Sequence, residues 1–455
     1  MDVAQALRLR GKAAVYANPG SLAMAGAGGK TTALFRLARE LLGNPYPTVL
    51  ATTTTHLANH QAQLADWHFV DGDDLSASLL GGGFPLGVCL LTGHATAEAR
   101  WSALPESGLE ALRSLAEDRR LPLLIEADGA RMKPLKAPAA HEPAIPPFVN
   151  QAIILAGLSA LGKPLDDHWV HRPEIFANLA GMQPGDPIDS EHLIRLLCHP
   201  QGGLKGIPST ARKVLLLNQA ETPATRQAAR RIASACLGAF DVALTAALQS
   251  QDPVHAVAEP VAGVILAAGE SRRFGQPKQL LDWKGEPLVR HAANIALQAG
   301  CSPVQVVIGA HAEQVRQALE GLPVQIVENA AWQQGLSTSV KAAVQNLPPA
   351  AGAAIFLLVD QPQAPVALVE ALIALHQETL ASLTAPRCRG RRANPVLFDR
   401  SVFPQLMALQ GDAGGRALFN QPEQLPIAWL DWEDPTLLLD IDTPEDYRRL
   451  QEGGS

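Results

Sequence analysis

Short apolar runs alternate with longer amphipathic stretches along almost the whole chain. The runs are rich in β-branched residues and end in polar or glycine-rich turns; examples are "TVLATTTT", "PLLIEAD" and "KVLLLNQ" early in the chain and "GVILAAG", "VQVVIGA" and "AIFLLVD" later. Parallel strands need crossover connections, which are usually helices, so this alternation predicts an α/β fold with mainly parallel sheets.

The chain has 455 residues, more than one hydrophobic core normally serves, so we expect at least two domains. A polar, proline-bearing segment, "QSQDPVHAVAEP", separates a helical-looking stretch from an apolar run. Such segments are typical of domain boundaries. We therefore predict one α/β domain over residues 1–250 and a second over residues 261–455.

The composition excludes several classes of protein. With 47% hydrophobic residues, 18% charged residues and a net charge of -7, the chain lacks the basic excess of a nucleic-acid-binding protein. Its N-terminal stretch does not resemble a signal peptide, and its apolar runs are too short to span a bilayer. We expect a cytoplasmic protein without nucleic-acid or membrane partners.

The cysteines do not suggest a metal site. They are scattered, without CxxC pairs or Cys/His ligand spacing, and we interpret them as small buried apolar residues. They are Cys89, Cys198, Cys236, Cys301 and Cys388.

The second half opens with "VILAAGESRRFGQPK", an apolar run that ends in a glycine turn followed by basic residues. Gly269 would allow the main chain to turn and to approach a phosphate closely. Arg273 and Lys278 could neutralise the charge of a triphosphate, the arginine as a bidentate fork and the lysine as a point charge. The alternative is a solvated basic loop after a buried strand.

Carboxylates follow two later apolar runs of the second half. Asp360 ends "AIFLLVD", and Asp440 and Asp442 lie in "LLLDIDTPED". Carboxylates at strand ends are good ligands for Mg²⁺, which also takes substrate phosphates. The alternative is that Asp442 and Thr443 cap the following helix. If the segment is extended, Asp440 and Asp442 alternate, and we expect Asp440 to face away from the site.

These motifs together resemble the MobA-like nucleotidyltransferases, and specifically the molybdenum cofactor cytidylyltransferases. "LAAGESRRFGQPKQLL" is similar to the family signature, and "VDQP", "NPVLF", "GDAGGR" and "LLDIDTPED" follow in the expected order. The resemblance implies a Rossmann-like fold for the second half, with a doubly wound, mainly parallel sheet. It also implies transfer of CMP from CTP to the molybdenum cofactor (molybdopterin), with release of pyrophosphate. It assigns triphosphate binding to Arg273 and Lys278, and Mg²⁺ binding to Asp360 and Asp442. It also implies that a four-residue loop wraps the cytidine and its phosphates: Leu266, Ala267, Ala268 and Gly269.

Other functions remain open from the residues alone. A guanylyltransferase or a sugar-phosphate nucleotidyltransferase would use the same glycine loop and aspartates, although "LAAG" and "DQP" favour CTP. A non-catalytic chaperone that delivers the finished cofactor is a third possibility. A further basic group could receive the anionic end of the cofactor or form only an exposed hairpin: Arg387, Arg389, Arg391, Arg392 and Arg416. The segment "ENAAWQQGLSTS" resembles the family's loop beside the substrate, with Asn329, Trp332, Gly335 and Ser339.

The first half has its own glycine turn before an amphipathic helix, "LAMAGAGGKTTALFRLARELL". A P-loop needs backbone N–H groups around a phosphate, a lysine and a hydroxyl that binds Mg²⁺. Met24 stands where the strict pattern requires glycine. We nevertheless predict a P-loop-like nucleotide-binding site formed by Gly28, Gly29, Lys30, Thr31 and Thr32.

Polar residues also end later strands of the first half. Glu126 and Asp128 in "LLIEADGARMKPLK" occupy a plausible Walker B-like position. "NQAE", residues 218–221, resembles a degenerate guanine-reading turn, and the alternative is an ordinary polar loop.

The order "GAGGKTT", "TTTTH" and "EADGAR" with "KPLKAP" and "HEP" resembles the selenium-dependent hydroxylase accessory protein family. This resemblance implies a role in maturing molybdenum hydroxylases, with an enzyme of the xanthine dehydrogenase type as a partner, but it implies no named reaction. The cluster His171, Arg172 and Glu174 could belong to a substrate region or could begin a helix.

Overall fold

The computed structural model describes residues 1–10, 20–43, 45–71, 85–98, 100–271, 274–420 and 425–453. It divides the chain into two compact units, Met1–Ala258 and Glu259–Ser455. Within these described ranges no helix is both long enough and apolar enough to cross a bilayer.

The first unit is built on a nine-stranded sheet of order β13-β12-β11-β9-β1-β7-β2-β5-β4. Every neighbouring pair is parallel except β12 and β13. The strands of this unit, including those outside the main sheet, are β1 Ser21–Gly26, β2 Thr48–Thr53, β3 Leu57–Ala58, β4 Trp67–Val70, β5 Gly87–Thr92, β6 Arg100–Trp101, β7 Leu123–Glu126, β8 Leu135–Lys136, β9 Gln151–Gly157, β10 Val170–His171, β11 Arg212–Asn218, β12 Val242–Ala246 and β13 Val254–Ala258.

Helices connect these strands as the sequence pattern predicts. The helix Lys30–Leu41 begins directly after the glycine turn and buries residues three and four apart, among them Leu34, Leu37, Ala38 and Leu41. The helices are Val3–Ala6, Lys30–Leu41, Asn59–Ala62, Glu106–Arg119, Pro173–Ala180, Ser190–Cys198 and Pro223–Cys236.

The second unit contains a sheet of order β18-β17-β14-β19-β22-β20-β21, with β23 paired to β20. Strands β18, β17, β14 and β19 are parallel, and β22 runs antiparallel to both of its neighbours. The strands are β14 Val261–Ala267, β15 Asp282–Trp283, β16 Glu286–Pro287, β17 Val304–Ile308, β18 Gln325–Glu328, β19 Ala353–Leu358, β20 Leu383–Cys388, β21 Arg391–Arg392, β22 Val396–Asp399 and β23 Ile427–Asp431. The helices are Leu288–Gln298, Ala312–Ala318, Leu336–Gln345, Val366–Thr379, Phe403–Met407 and Pro444–Gly453.

Both faces of this second sheet are covered. Alternate side chains of the central strand β14 enter two different hydrophobic clusters: Ile265 belongs to one, and Val264 to the other. A strand buried on both faces reads as a continuous apolar run, which is why "VILAA" shows no polar alternation. The mixed α/β class with parallel-rich, Rossmann-like architecture is confirmed.

The segment between the two predicted domains is more ordered than its composition suggested. It contains β13, which adds an antiparallel edge to the first sheet, so the first unit extends to Ala258. Because the segment begins with polar residues, the sequence pattern did not indicate its short apolar strand, "VHAVA", which pairs with β12.

Candidate functional site

The loop after β14 is held by one buried glutamine. Gln279 Nε2 donates to the carbonyl oxygens of Ala267 (3.0 Å) and Gly269 (2.5 Å). Ser271 Oγ accepts from the backbone N–H of Lys278 at 3.2 Å. The loop therefore curls back so that Lys278 stands beside the end of the strand. Sequence reasoning missed Gln279, whose only signal was a polar residue within "PKQLL".

Gly269 is not required by the fold in the way that its sequence context suggested. A Cβ atom built at this position meets nothing within 4 Å, and the backbone is not in the left-handed region. The exposed loop has room for a side chain. A ligand that approaches the backbone closely would favour glycine at position 269, whereas contacts within the protein do not require glycine there. Arg273, predicted to bind the triphosphate, lies outside the described residues.

Lys278 lies between two aspartates. Its Nζ donates to Asp442 at 2.9 Å and is 3.9 Å from the carboxylate of Asp360. The two aspartates come from loops 82 positions apart in the sequence, and the N–H of Ile441 donates to the carbonyl of Asp360 at 2.9 Å, which holds the two loops together beside the same lysine. The structure thus unites three of the predicted site residues.

The carboxyl group of Asp360 is in an unfavourable electrostatic environment. Burial raises its pKa to about 6; the Lys278 charge opposes this rise, and the charges of Asp440 and Asp442 add to it. Asp440 does not face away as expected. It lines the same cavity as Asp360 and accepts a hydrogen bond from Gln361. Thr443, with Asp446, caps the last helix instead.

A cavity of about 350 Å³ adjoins this group. Leu266, Val340 and Phe356 contribute to its apolar wall, and Asp360 and Asp440 to a polar one. Its volume falls in the range typical of small-molecule sites.

Two arginines line the same cavity, Arg392 and Arg416. Burial lowers the pKa of Arg392, and the neighbouring charge of Arg416 lowers it further. The guanidinium of Arg392 lies 4.8 Å from the centre of the Phe419 ring. In the part of the chain that the structure describes, neither arginine forms an ion pair with a carboxylate. Adjacent cations without a counterion favour an anionic ligand.

The other residues of the basic group do not join this pair. Arg387 forms a two-point ion pair with Asp431, at 2.8 and 3.1 Å, and Arg389 and Arg391 are exposed. Two arginines of the predicted basic group therefore line the cavity, and the other three lie outside it.

Side chains of the segment "ENAAWQQGLSTS" hold its own loop in place. Asn329 is buried, and its Nδ2 donates to Thr338 Oγ1 at 2.8 Å and to Ser339 Oγ at 2.9 Å. Trp332 packs against Gly309, where an added Cβ would lie 2.8 Å from the tryptophan side chain. These contacts fix the loop beside β17.

In the first unit, the glycine loop is shorter than a P-loop. Met24 lies fully buried within β1, paired with Glu126, and the strand continues to Gly26. Only Ala27, Gly28 and Gly29 connect the strand to the helix. Met24 therefore does not replace a loop glycine, because at this position the chain is still a strand.

The N–H groups of this loop are largely engaged by the protein. Gly26 donates to Asp128 (3.1 Å), Ala27 to Leu155 (2.9 Å) and Gly28 to the carbonyl of Lys133 (3.1 Å). These groups are therefore unavailable to a phosphate in this conformation. The donors that remain are those of the first helical turn after Gly29.

Lys30 and Asp128 form the centre of a buried ion network. Lys30 Nζ donates to the carbonyl of Gly26 at 2.8 Å and lies 3.3 Å from Asp128, whose other oxygen accepts from Lys136 at 2.7 Å. Lys136 also pairs with Glu142 at 2.8 Å, and Arg172 pairs with Glu142 at 2.6 Å.

The charges of this network shift the pKa values of Glu142 and His171. Burial alone would raise the pKa of Glu142, but hydrogen bonds from Arg172 and Lys136 outweigh it and lower the pKa to about 2. Burial, with the charges of Arg172 and Lys136, lowers the pKa of His171 to about 4, so the imidazole is neutral near pH 7. Arg172 and His171 thus belong to one buried region, whereas Glu174 lies in the first turn of the helix Pro173–Ala180.

Thr31 and Glu126 meet as a P-loop-like arrangement requires. Thr31 Oγ1 donates to Glu126 at 2.8 Å and accepts from Gln61 Nε2 at 3.0 Å. Burial raises the pKa of Glu126. Thr32 is exposed.

The turn at residues 218–221, which resembled a guanine-reading turn, holds the glycine loop. Buried Asn218 donates to the carbonyl of Gly28 at 2.6 Å and accepts from the N–H of Leu248 at 3.0 Å.

Among the described residues, no three His, Cys, Asp or Glu side chains form a cluster that could hold a metal ion unaided. Mg²⁺ needs fewer protein ligands, because it usually keeps waters and binds one or two carboxylates with substrate phosphates. Burial, with the charges of Asp440 and Asp442, raises the pKa of Asp360, and a bound cation would stabilise the ionised carboxylate, so the residues present fit this ion.

Comparison with family models gives two matches. The MobA-like NTP transferase domain matches residues 263–425, and the YqeC protein family matches residues 22–174. Uncharacterized protein YqeC of Escherichia coli strain K12 is 36% identical over 205 residues, which cover 44% of this chain and 76% of that protein.

Two further relatives match the second half. Nicotine blue oxidoreductase of Paenarthrobacter nicotinovorans is 34% identical over 42% of this chain and 96% of its own length. Molybdenum cofactor cytidylyltransferase of Escherichia coli strain K12 is 27% identical over 42% of this chain and 94% of its own length. The chain therefore belongs to the YqeC family in its first half and to the MobA-like NTP transferase domain family in its second.

Proposed function

We propose that the second half transfers CMP from CTP to the terminal phosphate of a molybdenum cofactor, producing the cytosine dinucleotide and pyrophosphate. The observation that carries this proposal is the position of Lys278 between Asp442 and Asp360, beside a ligand-sized cavity lined by Arg392 and Arg416. The similarity to a molybdenum cofactor cytidylyltransferase supports the choice of acceptor.

In this reaction an oxygen of the acceptor phosphate attacks the α-phosphorus of CTP, and the bond to the β-phosphate bridging oxygen breaks. Pyrophosphate leaves with the bonding electron pair. Lys278 neutralises charge on the triphosphate, and Arg273 on the same loop is proposed to assist. A phosphate monoester is already nucleophilic near neutral pH, so positioning and charge stabilisation supply most of the catalysis.

The loop of Leu266, Ala267, Ala268 and Gly269 is proposed to contact the cytidine and its phosphates. Asp360 and Asp442 would hold Mg²⁺, which would supply positive charge beside the triphosphate. Before the ion binds, Lys278 supplies part of that charge, because it already contacts Asp442. The apolar cavity wall and the two arginines suit a flat heterocycle with an anionic group.

Pyrophosphate release from CTP, GTP and ATP tests the proposal, with purified protein, Mg²⁺ and molybdenum cofactor under anaerobic conditions. CTP-selective release with a cytosine dinucleotide product is expected. Preference for GTP would indicate a guanylyltransferase, and release only with a sugar phosphate as acceptor would indicate the related sugar-nucleotide reaction. No release, together with delivery of intact cofactor to a molybdenum hydroxylase by Asp360→Ala protein, would favour a chaperone.

Similarity to a nicotine blue oxidoreductase gives a second candidate function. Loss of the absorbance of nicotine blue, with a reduced nicotinamide cofactor supplied to the same preparation as electron donor, tests this candidate. Reduction without pyrophosphate release from any nucleotide would replace the transferase proposal.

For the first half we infer a site for nucleotide phosphates at the start of the helix Lys30–Leu41. The residues are Gly28, Gly29, Lys30, Thr31 and Thr32, and the buried position of Lys30 beside Asp128 supports the inference. Because Gly26, Ala27 and Gly28 already donate within the protein, the phosphates would engage the first helical turn and draw Lys30 away from Asp128.

Titration with ATP and GTP, in the presence of saturating CTP to fill the second half, tests this site. Lys30→Ala should abolish binding, and Lys163→Ala, an exposed lysine of the same unit, should not. Equal binding by both variants would exclude Lys30 from the site.

A further inference from the structure

Two cysteines lie together at the ends of neighbouring helices in the first unit. Cys198 is the last residue of the helix Ser190–Cys198, and Cys236 is the last residue of Pro223–Cys236. Their sulfur atoms are 3.5 Å apart, and both are free thiols. Local sequence patterns do not indicate this pairing, because 38 positions separate the two residues.

The two thiols differ in environment. Cys236 is fully buried, whereas Cys198 is partly exposed. The hydrogen bond with Cys236 lowers the pKa of Cys198 to about 7, against the opposing effect of burial, and raises that of Cys236. Since the thiolate is the nucleophile in thiol exchange, Cys198 is the member of the pair that reacts first.

We propose that Cys198 and Cys236 are a site of reversible oxidation, at which a small-molecule disulfide converts the pair into a protein disulfide. The Cys198 thiolate attacks one sulfur of the reagent, forming a mixed disulfide and releasing one thiolate. The Cys236 thiolate then attacks the sulfur of Cys198 and releases the second. Two protein thiols are oxidised and one reagent disulfide is reduced to two thiols, so electrons and protons balance.

The local geometry permits this bond with a small movement. A disulfide requires about 2.05 Å between the sulfurs, so they must approach by roughly 1.5 Å. The backbone before Cys198 is held by a tight glycine loop: Gly203 donates to the carbonyl of Leu196, and a Cβ at Gly202 would lie 2.1 Å from that oxygen. The approach therefore depends mainly on rotation of the two side chains.

Oxidation at this point would act on the ion network of the same unit. Leu193, Leu196 and Leu197 of the helix Ser190–Cys198 line a small cavity whose other wall includes Asp128 and Lys136. A bond that fixes the end of this helix restricts the packing around these charged groups. The pair is therefore a modification site of the first half that lies close to its charged network, and it is independent of the transfer reaction proposed for the second.

The test uses the full-length protein equilibrated with reduced and oxidised glutathione at graded ratios, followed by alkylation and peptide mass spectrometry. A cross-linked peptide that joins Cys198 to Cys236, and is lost on reduction, is expected. In Cys236→Ser protein the reaction should stop at a glutathione adduct on Cys198. In Cys198→Ser protein, Cys236 should remain unmodified.

Cys301 provides the matched control, because burial raises the pKa of its thiol to about 12. Cys198 should be alkylated at least about tenfold faster than Cys301 in wild-type protein, a comparison that needs no variant to fold. Three results would overturn the proposal: no Cys198–Cys236 bond in a large excess of oxidised glutathione, a bond from Cys198 to another cysteine, or a glutathione adduct on Cys198 that persists in wild-type protein.

Discussion

The ammonium group of Lys278 donates a 2.9 Å hydrogen bond to the carboxylate of Asp442, a residue 164 positions away. The lysine reaches this position because Gln279 pulls the loop after β14 back against the strand. A triphosphate or a cation that enters the site must compete with this ion pair. Lys278 can therefore exchange a carboxylate partner for a phosphate partner without losing a counterion.

Lys278→Ala should reduce kcat for pyrophosphate release by about 100- to 1,000-fold, the usual cost of losing one charge-stabilising donor. Lys278→Arg should recover part of the rate, since it keeps the charge and changes the geometry. Lys284→Ala, an exposed lysine on the next turn, is the control and should behave as wild type. An Ala variant with normal kcat would remove Lys278 from the mechanism.

Asp360→Asn should stabilise the protein without metal while abolishing transfer. Burial raises the pKa of Asp360 to about 6 in the folded protein, above its usual 3.8. The folded state therefore holds this proton more tightly than the unfolded state, and it loses stability as the pH rises from about 4 to above 6. Asparagine removes that loss, which we place at about 1 kcal/mol because the side chain is one-third exposed.

Thermal unfolding in EDTA at pH 7.5 and pH 4 measures this effect. At pH 7.5 the Tm of the second unit should rise by roughly 2–4 °C in the variant. At pH 4 the difference should be much smaller, because Asp360 is then protonated in the folded state and about half protonated in the unfolded state. A lower Tm at pH 7.5 would mean that Lys278 already compensates the charge fully.

Much of the site could be predicted from the sequence because polar residues after apolar runs mark strand ends. Asp360 follows β19 in this way, and Lys278 lies in the loop after β14; the carboxyl ends of these parallel strands meet at one edge of the sheet. Among the described residues Asp442 does not directly follow a strand, and only its motif indicated it. Gln279 and Asn218 could not be found in this way. Each side chain donates a hydrogen bond to a backbone carbonyl of a loop, that of Gly269 for Gln279 and that of Gly28 for Asn218. These contacts depend on the tertiary structure, which a local sequence pattern does not encode.

Two expectations from the sequence, a loop that begins at position 24 and an Asp440 that faces away from the site, were wrong because the local backbone differs from the pattern. The P-loop pattern places a glycine at position 24 by counting back from Lys30, but the strand here continues past that position to Gly26. Asp440 was expected to face away because extended residues alternate, yet the segment before Pro444 is not a regular strand. Local backbone geometry decided both cases.

Arg392→Ala should weaken binding of the anionic acceptor and leave CTP binding unchanged. Arg392 lines the cavity with Arg416, whereas Arg387, in the same hairpin, is already paired with Asp431. We expect KM for the acceptor to rise by about tenfold, the equivalent of one charge-assisted hydrogen bond, with a smaller change in kcat. Arg387→Ala serves as the matched control. A rise in the KM for CTP instead would assign the arginine pair to the nucleotide.

Gly28→Ala should destabilise the first unit far more than Gly162→Ala, although both glycines have similar positive φ values of +83° and +77°. The two substitutions share the cost of a left-handed alanine, about 1 kcal/mol. At Gly28 the new Cβ would also lie 2.5 Å from the backbone nitrogen of Gly157, whereas at Gly162 nothing lies within 4 Å. The clash adds roughly 1–3 kcal/mol, because β9 cannot move without disturbing the sheet. Urea unfolding of both variants measures the difference, and equal losses would mean that the loop shifts to accommodate the methyl group.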